Sequence, residues 1–323
     1  MGLIIEAAPH IRSGNTTRKL MVTVLVALLP TLIMGILLFG ARALLLTLVS
    51  VAACVASEWV LRAITKAPGS ILAGAAAVTG VLLALTLPAT APYWLAAVGG
   101  VFAMVGVKGL AGGLGQNVFN PALAARALLM LVWPSYIVRF APAGAELPLF
   151  GSTVDVVTAA TPLHEMVIPA LPEATLADMF LGNIGGCIGE VSTLALLIGG
   201  VILIWRKVIS WRIPAAYMCT VAFLTLVFYK GEDPVAWMLY SLLGGGVMLG
   251  AFFMATDYAT SPVLPKAQVV YGIGCGALTV FFRYFGLYPE GVTYAILLMN
   301  ACAWALDKYL PPVRFGAPKG GMA

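Results

Sequence analysis

Five polar side chains in this sequence stand among residues that are nearly all apolar: Glu58, Lys108, Asn120, Arg126 and Asp257. A charge at the centre of a membrane span costs about 2.5–3.5 kcal/mol, so residues of this kind usually have a partner or a ligand. A carboxylate there can bind a cation or carry a proton, which makes Asp257 and Glu58 candidates for an ion pathway. Arg126 is a candidate phosphate ligand. Lys108 has a long stem and is expected instead to extend to the membrane surface.

The composition excludes several classes of protein. Apolar residues make up 61% of the chain and charged residues 10%, against about 45–50% and about 25% in soluble domains. The mean hydropathy is +1.01. These values exclude an ordinary soluble enzyme, a disordered chain and a nucleic-acid binder, and they predict an all-α integral membrane protein. The net charge of +5 then reports mainly on membrane topology.

The cysteines and histidines argue against a metal site. The five cysteines include no Cys-x-x-Cys pair, and His10 and His164 are isolated in the sequence. Zinc and iron–sulfur sites need several such ligands close together. We therefore predict no metal site within this chain alone.

Ten apolar segments are long enough to cross a hydrocarbon core, which takes about 20 residues. They cover residues 20–40, 43–62, 70–88, 93–111, 119–138, 185–205, 212–229, 235–254, 267–285 and 291–309. A long polar segment separates the fifth from the sixth. The sequence thus predicts about ten transmembrane helices.

Basic residues predict the orientation of these helices. With the N-terminus on one side of the membrane, Lys and Arg are concentrated in the loops on that same side. By the positive-inside rule this side is the cytoplasm, and both chain ends lie there. The predicted parts are a cytoplasmic segment 1–19, a five-helix repeat 20–138, an outer periplasmic segment 139–184, a second five-helix repeat 185–310 and a cytoplasmic tail 311–323. The expected location is the inner membrane of a bacterial cell, in contact with lipid.

The two halves of the chain resemble each other at an offset of about 141–146 residues. Pro92-Tyr-Trp94 recurs as Pro234-Val-Ala-Trp237, and Asn120-Pro121-Ala recurs as Ser261-Pro262-Val. A repeat of five spans, an odd number, must enter the membrane from the opposite side in its second copy. The halves are therefore predicted to be inverted repeats, an architecture common in transporters.

Two segments rich in Gly and Pro, 112–121 and 255–262, adjoin predicted spans. Broken backbone at membrane depth is tolerated where it lines protein or a cavity. We predict that these segments line a binding site, the alternative being that they are ordinary cytoplasmic loops.

A short motif in the outer segment carries a possible covalent cofactor. The string Asp155-Val-Val-Thr158-Ala159-Ala160-Thr161 resembles the flavinylation motif Asp-x-x-Ser/Thr-Gly-Ala-Thr, in which a transferase joins FMN to the last Thr by a phosphoester. A Thr hydroxyl is a poor nucleophile by itself, so a separate enzyme must form the bond. Ala159 departs from the usual Gly of the motif.

Four further segments, with this motif, carry a resemblance over nearly the whole chain. They are 13–18, 112–122, 182–190 and 252–262. The chain resembles the D subunits of Rnf complexes, the ion-translocating ferredoxin:NAD⁺ oxidoreductases, and is similar to the B subunits of Na⁺-translocating NADH:quinone reductases.

The resemblance implies FMN on Thr161 and a non-covalent riboflavin deeper among the helices, with Asn120 and Arg126 as candidate cofactor ligands, Arg126 at a flavin ring oxygen. It also implies that the chain functions as a subunit of a translocase and does not catalyse a reaction independently. The implied partners are a second flavin-bearing subunit and iron–sulfur subunits, and the transported ion is Na⁺ or H⁺.

Two other functions remain open from the residues alone. An inverted repeat also suits a solute or ion transporter without flavin. A structural anchor for soluble redox subunits would have the same composition. Bound flavin separates the electron-transfer function from the transporter. The anchor predicts instead that Asp257→Asn leaves ion transport and electron flux unchanged.

Overall fold

The computed structural model describes residues 16–65, 74–110, 116–150, 161–166, 171–286 and 291–311. Within these ranges the regular structure is helical and no β-strand is formed, so the prediction of an all-α chain is confirmed. The helices are α1 (Thr17–Phe39), α2 (Ala41–Thr65), α3 (Ala75–Leu85), α4 (Tyr93–Val101), α5 (Pro121–Val132), α6 (Pro134–Ile137), α7 (Pro162–Glu165), α8 (Leu176–Leu181), α9 (Thr193–Trp205), α10 (Arg212–Val227), α11 (Pro234–Leu243), α12 (Val247–Leu249), α13 (Pro265–Phe285) and α14 (Val292–Tyr309). Two of them continue as π-helices, α4 through Phe102–Gly109 and α12 through Gly250–Met254.

Each of the ten predicted spans overlaps at least one of these helices, but the helices differ in their ability to cross a membrane. In the part of the chain that the structure describes, α1 and α2 are long and apolar enough to do so. A third span results if α11 and Val247–Met254, which meet at a bend of 58°, cross as one unit. Other apolar helices, such as α3 and α5, are shorter. The arrangement of ten spans therefore stays a prediction.

The sixth predicted span begins later than its apolar run suggests. The run starts at residue 185, whereas α9 starts at Thr193. The intervening chain lies against the loop after α3, where the Ile188 N–H donates to the Leu87 carbonyl at 3.0 Å and the Gly189 N–H to the Leu85 carbonyl at 2.8 Å. Those bonds replace the ones a helix would supply.

Helix contacts follow the same order in the two halves. In the first half α2 packs on α3 and α4, and α4 packs on α5; in the second half α10 packs on α11 and α13, and α13 packs on α14. Contacts between the two halves include α1 with α9 and α5 with α14, which hold like positions in this order. Two copies of a five-helix unit would pack in this order. Their inverted orientation stays a prediction.

The helix contacts make different elements equivalent from those that the sequence offset suggested. An offset of 141–146 residues relates α4 to α11, whereas the contacts relate α4 to α13. At a spacing of 170 residues two loops match: Thr86–Pro92, between α3 and α4, and Thr256–Pro262, before α13, both read Thr-x-x-Ala-Thr-x-Pro. Of the prolines matched at the shorter offset, Pro121 and Pro234 fill the first position of their helices, where the missing N–H costs nothing.

The outer segment is tied to the helices by buried side chains. Arg42, on α2, is 2% exposed and donates to the carbonyls of Ala89, at 2.9 Å, and Pro148, at 2.6 Å. Tyr240, on α11, donates its hydroxyl to the Ala174 carbonyl at 2.8 Å. These bonds fix the segment over the ends of α2 and α11.

A capping box begins α8 within the same segment. The Thr175 hydroxyl accepts from the Asp178 N–H, and the Asp178 carboxylate accepts from Thr175 in return. Hydrogen bonds from Thr175 and then from Asn183 lower the pKa of Asp178, because they stabilise the charged form.

Candidate functional site

Thr161 begins the short helix α7. Its hydroxyl oxygen accepts from the His164 N–H at 3.3 Å, and Pro162 fills the first helical position. Thr161 is partly exposed, whereas Pro162 and Leu163 are buried. The rest of the motif, Asp155 to Ala160, lies outside the described residues.

Helix α7 lies on the break between α11 and α12. A Cβ added at Gly245 would collide with Leu163 and would lie 2.8 Å from Nη2 of Arg283. Arg283, near the end of α13, donates to the carbonyls of Ser241, at 2.5 Å, and Gly244, at 2.9 Å. These carbonyls lie at the end of α11, where a helix leaves acceptors unsatisfied. The helix that Thr161 caps thus contacts the bend between α11 and α12 through Leu163.

A buried ion pair lies beneath this break. Nη1 of Arg126, on α5, is 3.3 Å from Oε1 of Glu190, with side-chain exposures of 3% and 10%. Nη2 of Arg126 also donates to Sγ of Cys187 at 3.6 Å. Glu190 was not among the candidates from the sequence, although it is a charge inside the predicted span 185–205. The structure therefore gives Arg126 a protein partner, and its role as a cofactor ligand stays a prediction.

The cavity beside this ion pair is small. Its volume is about 10 Å³, and its lining includes Thr86, Gly246, Met254 and Thr293. That is about the space of one water molecule. We call it the outer cavity.

A second, partly open cavity contains the predicted ion ligand. Its volume is about 60 Å³, and Asp257, Lys108, Asn117 and Asn120 line it. The Asp257 carboxylate accepts from the Thr260 hydroxyl at 3.2 Å. We call it the inner cavity. It has room for a few water molecules or a cation, but cofactor pockets usually measure about 300–1,000 Å³.

Asn120 joins the two cavities. Its oxygen caps α5 by accepting from the N–H groups of Ala122, at 3.0 Å, and Leu123, at 3.3 Å. Its amide nitrogen donates at 3.2 Å to the carbonyl of Met254, which lines the outer cavity. One hydrogen bond therefore links the wall of the inner cavity to the wall of the outer one.

Glu58 and Lys108 form a buried pair. Nζ of Lys108 is 2.9 Å from Oε1 of Glu58, and Nη2 of Arg62 is 3.0 Å from the same oxygen. Lys108 is 5% exposed, so the prediction that it extends to the membrane surface is wrong. Its position on α4's π-helix, which packs on α2, brings it to Glu58. With two cationic partners, Glu58 is a weaker candidate for an ion ligand than Asp257.

Gly246 offers a direct test of the packing beside Glu190. Its φ is +69°, and an added Cβ would lie 2.5 Å from Oε1 of Glu190. The left-handed conformation alone costs an L-residue about 1–2 kcal/mol. We expect Gly246→Ala to lower the thermal unfolding midpoint in detergent by more than that cost explains, because Glu190 must also move.

Gly144→Ala is the matched control, since Gly144 has φ +75° and nothing within 4 Å of its added Cβ. Its variant measures the conformational cost without the collision. Equal midpoints for the two variants would contradict the close contact with Glu190.

Comparison with known proteins assigns the chain to a family. The model of the NQR2, RnfD, RnfE family matches residues 4–316. The D subunit of the Na⁺-translocating ferredoxin:NAD⁺ oxidoreductase complex of Acetobacterium woodii is 46% identical, over 99% of this chain and 97% of that protein. The D subunit of the proton-translocating ferredoxin:NAD⁺ oxidoreductase complex of Clostridium ljungdahlii is 39% identical, over 97% and 96%. The D subunit of the ion-translocating oxidoreductase complex of Halorhodospira halophila is 38% identical, over 97% of each.

Proposed function

This chain belongs to the NQR2, RnfD, RnfE family, and from that premise we propose that it is the flavin-bearing membrane subunit of an ion-translocating electron transport complex. The complex would couple ferredoxin and NAD redox chemistry to Na⁺ or H⁺ translocation. The observation that carries the proposal is the 46% identity over 99% of the chain to a D subunit of such a complex. The chain contributes to this reaction as a subunit and not as an independent enzyme.

Thr161 is the residue proposed to carry FMN through a phosphoester. Two features support it: the residue is partly exposed, and the turn that holds it is anchored by Leu163 against Gly245. When bound, FMN supplies one- and two-electron transfer, which amino-acid side chains do not. Attachment at this turn would place that chemistry in contact with the bend between α11 and α12.

The proposal of a second, non-covalent riboflavin depends on the resemblance alone. Asn120 lines the inner cavity, and Arg126 lines the outer cavity. Neither volume, about 60 Å³ and about 10 Å³, accommodates a ring of that size without movement of its walls. The donors present therefore suit a cation, a proton or water better than they suit riboflavin.

Asp257 is the carboxylate proposed to bind the transported ion. It lies on the wall of a cavity whose size suits water or a partly dehydrated cation. Carboxylate and amide oxygens are the ligands that hard cations prefer, and Asn117 lines the same cavity. The names of the relatives include both a Na⁺- and a proton-translocating complex, so they do not choose between the two ions.

The proposed partners follow from the same membership. The relatives are subunits of complexes, and we propose that this chain meets a second flavin-bearing subunit at its acidic outer segment and assembles with iron–sulfur subunits. The site of assembly is the bacterial inner membrane, with both termini in the cytoplasm and segment 139–184 in the periplasm.

The state of the chain in its native host tests the proposal. We expect an intact mass above that of the bare polypeptide by an FMN-sized increment, and a band that fluoresces under ultraviolet light after denaturing electrophoresis. A bare mass and a dark band would reject the flavin-bearing function. That result would favour the flavin-free ion transporter, which the two small cavities would also suit.

A further inference from the structure

Lys108 lines the inner cavity and has two carboxylates near it. Its ammonium lies 2.9 Å from Oε1 of Glu58, on α2. It also shares the wall of the inner cavity with Asp257, in the loop before α13. Lys108 is 5% exposed and Glu58 4% exposed. A buried ammonium needs a partner of opposite charge, and the fold places two carboxylates where one would satisfy it.

Both carboxylates have other contacts that keep them in place. Glu58 also accepts from Arg62 at 3.0 Å, one turn further along α2. Asp257 accepts from the Thr260 hydroxyl in its own loop. Lys108 ends in a compact ammonium on a flexible four-carbon stem. A change of partner therefore requires movement of the lysine head and not of either carboxylate.

The backbone around Lys108 has an unusual helical form that brings Lys108 to both Glu58 and the inner cavity. Residues Phe102–Gly109 form a π-helix, a rare form that occurs often at functional sites. A Cβ at Gly109 would lie 2.9 Å from Cδ2 of Leu61, on α2. The glycine lets the π-helix approach α2 closely, so that Lys108 reaches Glu58 while it lines the cavity.

We propose that Lys108 competes with the transported ion for Asp257. While Lys108 is paired with Glu58, the Asp257 carboxylate is available to a cation or a proton from the inner cavity. When the ammonium transfers to Asp257, it displaces that ion, and Arg62 remains on Glu58 as its counter-charge. Both carboxylates then have one cationic partner each, so the exchange leaves no buried carboxylate of this described cluster without compensation. This proposal rests on the proposed function, since it assigns a step in ion translocation.

Substitutions of Glu58 and of Lys108, which should have opposite effects, test the proposal. The assay uses inverted membrane vesicles that contain the whole complex, with uptake of radioactive Na⁺ and of protons measured while reduced ferredoxin passes electrons to NAD⁺. Glu58→Gln leaves Lys108 with Asp257 as its carboxylate partner in the cluster. We expect it to raise the half-saturating concentration of the transported ion at least tenfold. Lys108→Met removes the competitor and should lower that concentration.

The double variant Glu58→Gln/Lys108→Met separates this role from simple charge balance. If Lys108 serves only to neutralise Glu58, removing both charges restores wild-type behaviour. If Lys108 is the competitor, the double variant behaves like Lys108→Met, with a lowered half-saturating concentration and fewer ions moved per electron. Lys230→Met, which removes a lysine that lies over the Tyr284 ring, is the control and should match the wild type.

The possible failures can be distinguished. Wild-type vesicles that pass electrons but take up neither ion would reject the proposed function. Wild-type transport together with shifts of the same direction in Glu58→Gln and Lys108→Met would reject the competition. So would a double variant with the wild-type half-saturating concentration. Where H⁺ is the ion, the concentration compared is that of protons, and the charged groups of this cluster are Glu58, Arg62, Lys108 and Asp257.

Discussion

Thr161→Ala is expected to abolish covalent flavin on this chain, so that the denatured band no longer fluoresces and the intact mass equals that of the bare polypeptide. The reason is chemical, because alanine offers no oxygen for a phosphoester. Electron flow through the complex should fall to background, since no other side chain can take over the redox step. The measurement is in-gel fluorescence together with mass spectrometry of the peptide that contains residue 161.

The variant should still fold, which makes the result interpretable. In the described structure the Thr161 hydroxyl accepts from the His164 N–H, and loss of such a cap costs about 1 kcal/mol. Leu163 keeps its buried position on Gly245. A fluorescent Thr161→Ala band would refute the assignment of the attachment site.

Two further variants control for the neighbouring motif residues. Thr158→Ala removes the other hydroxyl of the motif and should keep a fluorescent band. Ala159→Gly removes the one methyl group by which the motif departs from the flavinylation pattern, and it should be labelled at least as well as the wild type. Loss of label in Thr158→Ala with retention in Thr161→Ala would move the site to Thr158.

Much of the helical framework could be predicted from the sequence because apolar runs and helix caps are local signals. Pro121, Pro234 and Pro265 each open a helix, close to where the apolar runs begin. The sequence could not show that residues 185–190 pair with the loop after α3, because a Gly-rich apolar run is compatible with both a helix and an extended segment. Tertiary hydrogen bonds made that choice.

The partners of the buried charges were the hardest part to predict. Lys108 and Glu58 are 50 residues apart, and Arg126 and Glu190 are 64 apart, so no local pattern relates them. The cost of burying a charge indicated that each of these side chains needed a partner. Only the packing of the helices shows which partner it is, as where the π-helix that continues α4 packs on α2 and brings Lys108 to Glu58. Glu190 had a usable signal in the sequence, because it is an acid within a predicted span.

Arg126→Met is expected to be the most destabilising single substitution considered for this chain. It leaves the Glu190 carboxylate in a site where it is 10% exposed, and breaking one side of a buried ion pair costs about 3–5 kcal/mol. The thermal unfolding midpoint in detergent, and the amount of chain recovered from membranes, should both fall sharply. Glu190→Gln should cost less, since its amide can still accept from Arg126.

The double variant Arg126→Met/Glu190→Met decides what the arginine is for. Replacing both members of a buried pair by apolar side chains of similar volume is often close to neutral, so a purely structural pair predicts recovery of the unfolding midpoint and of flavin content. If Arg126 instead binds a flavin or a phosphate, the midpoint recovers but the bound flavin or the electron flow does not. The nearby cavity measures about 10 Å³, which is too little for a flavin or a phosphate without rearrangement. We therefore expect the unfolding midpoint and the flavin content both to recover.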